Sequence, residues 1–279
     1  MQVLIAEELG FCFGVRDALA VARSIDDAHT VTVHGELVHN EAVLHELDAR
    51  GFLRQREDAR AVPPTPRVLV TAHGISERER ARLLAAGKVL IDTTCPLVTR
   101  AHVAAQELAR DGRFVVVLGK RDHVEVRGIV EDLAACAVVE RDSEVETWPS
   151  QRLGVVCQTT LPSHLAQARL AAIRARNATA DVRFVDTVCD PTKRRMRAVA
   201  ALAPRVDAFV VVGGRNSNNT RQLAELAAAQ GVRTLHVQGA ADLDPSWFRG
   251  CRVVGLGAGT STLDATIAAV RDKLEQITA

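Results

Sequence analysis

Three strand-like apolar runs in this 279-residue chain each lead into a cysteine: VLIAEELGFC to Cys12, VLIDTTC to Cys95 and VRFVDTVC to Cys189. The intervals are 83 and 94 residues, so each cysteine belongs to a different third of the chain. Soft ligands so widely separated can meet at one point only if the three thirds surround it, and three thiolates leave one metal position open. On spacing alone the three read equally as such a centre or as three buried thiols. Each stands just before a helix start, with Pro96 after Cys95, Asp190-Pro191 after Cys189, and a glycine-flanked turn, Gly10-Phe11-Cys12-Phe13-Gly14, around Cys12. A helix N-terminus favours thiolate, the form that ligates metal. Local CxxC spacing is absent, which argues against a structural zinc ribbon. Cys136, Cys157 and Cys251 sit in or beside apolar runs and are expected to be buried and inert.

Between the cysteines, apolar runs alternate with amphipathic Ala-, Leu- and Arg-rich segments, the pattern of α/β folds with parallel sheets. The thirds also rhyme. After each cysteine comes a helix (RDALAVARSI, VTRAHVAAQELAR, TKRRMRAVAALA), then a strand and loop, then a second strand ending in small or polar residues. This predicts three small α/β domains, 13–95, 96–188 and 189–279, closed into a ring about a pseudo-threefold axis. The third lacks a closing strand, which the spare N-terminal segment 1–12 is expected to supply. In such sheets ligands sit beyond the carboxyl ends of the strands.

Hydrophobic content of 47% supports substantial cores, and a net charge of +1 with intermixed signs gives no nucleic-acid footprint. The start, MQVLIAEELG, lacks a signal-peptide pattern, and no run would span a membrane, so a cytoplasmic protein is expected.

Further short motifs flank the cysteines: Val38-His39-Asn40, Ala72-His73-Gly74, Asp92-Thr93-Thr94-Cys95-Pro96, His123-Val124-Glu125-Val126, Gln158-Thr159-Thr160, Asp186-Thr187-Val188-Cys189 and Asn216-Ser217-Asn218-Asn219-Thr220. In this order they closely resemble the 4-hydroxy-3-methylbut-2-enyl diphosphate reductase family (IspH/LytB), over essentially the whole chain. The resemblance implies a trefoil around a [4Fe–4S] cluster with one open iron position, held by Cys12, Cys95 and Cys189. It implies reductive dehydroxylation of an allylic diphosphate to isopentenyl and dimethylallyl diphosphate, the last step of the methylerythritol phosphate route. An electron donor such as ferredoxin or flavodoxin would serve it. Glu125 would be the proton donor, held partly neutral by nearby negative charge, and Thr159 would orient the substrate hydroxyl. His39, His73, His123, Ser217, Asn218, Asn219 and Ser261 would bind the diphosphate. Taken alone, Glu125 reads as a solvated loop carboxylate and Thr159 as a helix N-cap.

Several positions depart from the commoner family pattern: Val124, Cys157, Pro191, Met196, Asn218 and the stretch Gly257–Leu263. They crowd the third repeat, so a paralogue acting on a related phosphorylated allylic alcohol is the alternative. A non-enzymatic binder of phosphorylated ligands and a Cys₃His zinc hydrolase are the more distant ones.

Overall fold

Strands and helices alternate from end to end in the computed structural model, which describes residues 1–56 and 61–277. The first stretch runs β1 (Gln2–Ile5), α1 (Phe13–Arg23), β2 (Val31–Val33), α2 (Glu41–Ala49), β3 (Leu53–Arg54), β4 (Arg67–Val70), α3 (Glu77–Ala85) and β5 (Val89–Asp92). Next come α4 (Pro96–Arg110), β6 (Phe114–Leu118), α5 (Val124–Glu131), β7 (Cys136–Val139), β8 (Arg152–Cys157), α6 (Ser163–Arg176) and β9 (Asp181–Phe184). The last stretch is α7 (Asp190–Leu202), β10 (Ala208–Val212), α8 (Asn218–Ala229), β11 (Arg233–Val237), β12 (Val253–Ala258) and α9 (Asp264–Gln276). No described helix is long and apolar enough to cross a membrane.

Three four-stranded sheets result, ordered β3-β2-β4-β5, β7-β6-β8-β9 and β11-β10-β12-β1, and every pairing is parallel. The fold class is therefore α/β with parallel sheets, and the strand order repeats three times. In the third sheet the outer strand beside β12 is β1, in register from Gln2 opposite Val253 to Ile5 opposite Leu256. The chain folds as two compact units. One comprises Met1–Arg16, His39–Val43 and Asp190–Ala279 and holds the third sheet; the other comprises Asp17–Val38 and Leu44–Cys189 and holds the first two.

Burial on both faces explains the strand sequences. β10 reads Ala-Phe-Val-Val-Val and is wholly buried. Phe209 and Val211 face Met196, Val199 and Leu202 of α7 and Leu223 of α8, whereas Val210 and Val212 share a core with Ile267, Val270 and Leu274 of α9. Alternate side chains thus serve opposite layers, and the run reads as continuously apolar. Each such side chain contributes about 1.5–3 kcal/mol. Phe209→Ala would cost about 3–5 kcal/mol through the cavity it leaves.

The strands stop short of the cysteines, at Ile5, Asp92 and Phe184, where the sequence suggested runs reaching them. Side chains explain the early exit in two cases. Asp92 Oδ1 accepts from the Thr94 amide at 2.9 Å and the Thr94 hydroxyl at 2.6 Å, and Asp186 Oδ1 accepts from the Val188 amide at 3.1 Å. These Asx turns outcompete ladder pairing and bend the chain toward the helix that follows.

Candidate active site

All three cysteines are held in the same way. The Cys95 amide donates to Ala72 O at 3.1 Å, the Cys189 amide to Thr159 O at 2.9 Å and the Cys12 amide to Thr260 O at 3.1 Å. Each acceptor lies two residues beyond the end of a strand: β4, β8 and β12 respectively. A threonine braces two of these turns. Thr93 donates to Val70 O and Thr187 to Cys157 O, both at 2.5 Å. Cys95 caps α4 with Pro96 in its first turn, and α1 and α7 begin one residue after Cys12 and Cys189. The three thiols are partly exposed, whereas Cys157 and Cys251 are buried. Cys136 is only half-buried on β7, less than its apolar surroundings suggested, and burial raises its thiol pKa. A partly exposed thiol at a helix start has the chemistry of an iron–sulfur ligand.

In the larger unit, His123 caps the N-terminus of α5. Its Nδ1 accepts from the Glu125 amide at 3.2 Å, so the ring proton sits on Nε2. The rings of His73 and His123 pack edge to face with centroids 5.5 Å apart. Glu125 is 1% exposed and lies in the first turn of α5, not in a solvated loop. Its Oε1 accepts from the Thr159 amide at 2.6 Å and its Oε2 from the Thr159 hydroxyl at 2.9 Å. Burial pushes the Glu125 pKa up to about 7, although both Thr159 hydrogen bonds pull it down. The dominant cause is thus desolvation rather than neighbouring negative charge. Thr159 is not a helix cap, since α6 starts only at Ser163. Its side chain is committed to the carboxyl group.

Gln158 joins the loops that carry these groups, a role the motif alone did not reveal. Its Oε1 accepts from the Lys120 amide at 3.0 Å, its Nε2 donates to Thr160 Oγ1 at 3.1 Å and its amide donates to Leu118 O at 2.8 Å. Gly119 is required there, because a Cβ would fall 2.7 Å from that of Gln158.

The other unit offers neutral donors. Ser217 caps α8, its hydroxyl accepting from the Thr220 amide at 3.3 Å, so the hydroxyl hydrogen remains to be given. Asn218 Oδ1 accepts from Arg221 at 3.1 Å. Asn219 is 2% exposed; its Oδ1 accepts from the Thr260 amide at 3.0 Å, and its buried Nδ2 has no partner among the described residues. An orphaned amide donor at a helix N-terminus is suited to an anion. Ser261 donates to His39 O at 3.2 Å, and Asn40 Nδ2 donates to Ser261 O at 2.5 Å. His39, Ser261, Ser217, Asn218 and Asn219 thus lie in one unit with Cys12, while His73, His123, Glu125, Thr159, Cys95 and Cys189 lie in the other.

Known proteins resemble this chain along nearly its whole length. The family model described as LytB protein matches residues 3–275. The 4-hydroxy-3-methylbut-2-enyl diphosphate reductase of Anaeromyxobacter sp. (strain K) is 36% identical over 273 residues, covering 97% of each chain. A solved structure of (E)-4-hydroxy-3-methyl-but-2-enyl diphosphate reductase, described as the terminal enzyme of the non-mevalonate pathway, is 32% identical with a TM-score of 0.68, covering 99% of this chain and 100% of the other. The E-1-hydroxy-2-methyl-but-2-enyl-4-diphosphate reductase of Plasmodium falciparum reaches a TM-score of 0.90 over 99% of this chain and 88% of its own; at 22% identity it speaks for the fold alone. With nearly every residue matched by the family model and the same four-stranded parallel sheets repeated along it, the chain belongs to the LytB family.

Proposed function

We propose that this protein is a 4-hydroxy-3-methylbut-2-enyl diphosphate reductase, an oxidoreductase that removes the allylic hydroxyl to give isopentenyl and dimethylallyl diphosphate. Family membership supports the reaction, and the buried Glu125–Thr159 pair is the observation that carries it. The reaction consumes two electrons and two protons: one proton leaves with the hydroxyl as water and the other goes to carbon. Cys12, Cys95 and Cys189 would hold a [4Fe–4S] cluster with one open iron position, and the cluster when bound supplies the electrons.

The proton is the protein's task. Hydroxide is a poor leaving group, so the departing oxygen must be protonated as the bond breaks. A carboxyl group with a pKa of about 7 is neutral in a large fraction of molecules near neutral pH. When protonated on Oε2, Glu125 donates to Thr159 Oγ1, reversing that hydrogen bond, and the threonine hydroxyl turns its own hydrogen toward the substrate oxygen. His39, His73 and His123 would give N–H donors to the diphosphate, and Ser217, Asn218, Asn219 and Ser261 would bind it as well. The organisation proposed is three α/β domains, 13–95, 96–188 and 189–279 completed by 1–12, in a cytoplasmic enzyme fed by ferredoxin or flavodoxin.

The test is an anaerobic assay of reconstituted protein with the hydroxylated allylic diphosphate and a chemical reductant. A brown protein that releases both products supports the reading. A colourless protein, or a brown one that turns over only a different phosphorylated alcohol, contradicts it.

A further inference from the structure

The turns before Cys95 and Cys189 are self-sufficient, because each carries Asp-Thr-x-Cys with aspartate and threonine bracing the bend. The turn before Cys12 reads Glu-Leu-Gly-Phe-Cys and has neither residue at those positions. Its bend begins at Gly10, whose φ of +69° is costly for other residues and whose Cβ position is occupied by the Asp264 carboxylate. What holds this turn comes from elsewhere in the same unit. The Arg195 guanidinium, 3% exposed on α7, donates to Gly10 O at 2.7 Å, to Leu9 O at 3.4 Å and to Pro191 O at 3.2 Å. Arg16 Nε adds a partly exposed bond to Phe11 O at 3.0 Å.

We infer that Arg195 is the positioning residue for Cys12, doing from a distance what the Asp-Thr pair does locally at the other two cysteines. The planar guanidinium reaches three carbonyls at once, which a lysine ammonium on its thinner stem cannot match in the same geometry. One end of the clamp is Pro191, two residues after Cys189, and the other is Gly10, two before Cys12. The clamp therefore ties the Cys12 turn to the start of the helix that follows Cys189. A turn that loses it keeps its one amide bond to Thr260 but no longer has its Leu9 and Gly10 carbonyls fixed. The inference bears on chemistry only through the proposal that Cys12 is a cluster ligand, and its test separates the two.

The experiment compares wild type, Arg195→Met and Arg195→Lys as full-length protein. Deuterium uptake of peptides covering 9–16, 92–96 and 186–190 is followed without cluster, and iron release to a chelator is followed after reconstitution. Arg195→Met should speed exchange in 9–16 by about tenfold or more while leaving the two other cysteine turns unchanged, and Arg195→Lys should recover part of the loss. Iron release should accelerate by about tenfold, the lower end for losing a residue that orients a metal ligand. Unchanged exchange in 9–16, or an equal rise in all three turns, would overturn the positioning role. Loosening confined to 9–16 with wild-type iron release would support the clamp and remove Cys12 from the ligand set.

Discussion

The two units solve opposite problems with polar groups. In the larger unit the acid Glu125 is buried completely and paired with one threonine, so its protonation is set by desolvation. In the smaller unit the start of α8 presents Ser217 and Asn219, neutral groups that stay donors at any pH, fixed by backbone partners of their own. A proton donor must be able to change state; a binding site for a charged group works best if it does not. The contrast predicts that variants of Glu125 and Thr159 change rate and that variants of Ser217 and Asn219 change affinity.

The largest effects should come from the cysteines. Cys12→Ser, Cys95→Ser and Cys189→Ser should each lose most bound iron, the visible absorbance and all turnover, as checked by iron analysis and spectra. Cys136→Ser, Cys157→Ser and Cys251→Ser should keep the cluster. Six alike would remove the common ground on which the comparison stands.

Next comes Glu125→Gln, which preserves shape while deleting the acid. It should retain iron and substrate affinity and turn over about a hundredfold more slowly or worse, the scale of a lost general acid. Asn219→Leu should do the reverse, weakening diphosphate binding about tenfold, measured by titration, with kcat much less affected. A drop in kcat alone would break the division of labour. Thr159→Ala should be milder than Glu125→Gln, because water can stand in for its hydroxyl, and should appear in kcat rather than in binding.

The smallest effect is on stability. Glu125 has a folded-state pKa of about 7, raised from 4.5, so the native state binds more protons than the unfolded chain between those values. Its contribution is therefore favourable at low pH and is lost as pH rises through about 7, by about 3 kcal/mol at most. Glu125→Gln should melt close to wild type at pH 5 and higher than wild type at pH 8 in thermal scans of the protein without cluster.

Much of the fold was legible because the parallel α/β pattern is written in apolar runs, and β10 shows why: a strand covered on both faces has no polar positions. The Asp-Thr-x-Cys turns were not read, although sequence neighbours make their hydrogen bonds, because the apolar runs before them suggested strands reaching the cysteines. Long-range partners were not legible either. Arg195 sits in Lys193-Arg194-Arg195, where nothing local separates the exposed Arg194 from Arg195, buried against Gly10. The burial of Glu125 was hidden for the same reason, because it depends on a β8 loop that supplies Thr159 from 34 residues away. Cys136 looked buried from its neighbours but lies only half-covered on β7, the outer strand of its sheet.

The central claim is that Glu125 delivers the proton, and the pH dependence of kcat for wild type and Glu125→Gln, both with full clusters, tests it most directly. Wild-type turnover should be high below about pH 7 and fall as pH rises through it, beside a Glu125→Gln rate that is about a hundredfold lower and lacks that descending limb. Near-wild-type turnover in Glu125→Gln, or the same descending limb in both proteins, would contradict it and place the proton on another group.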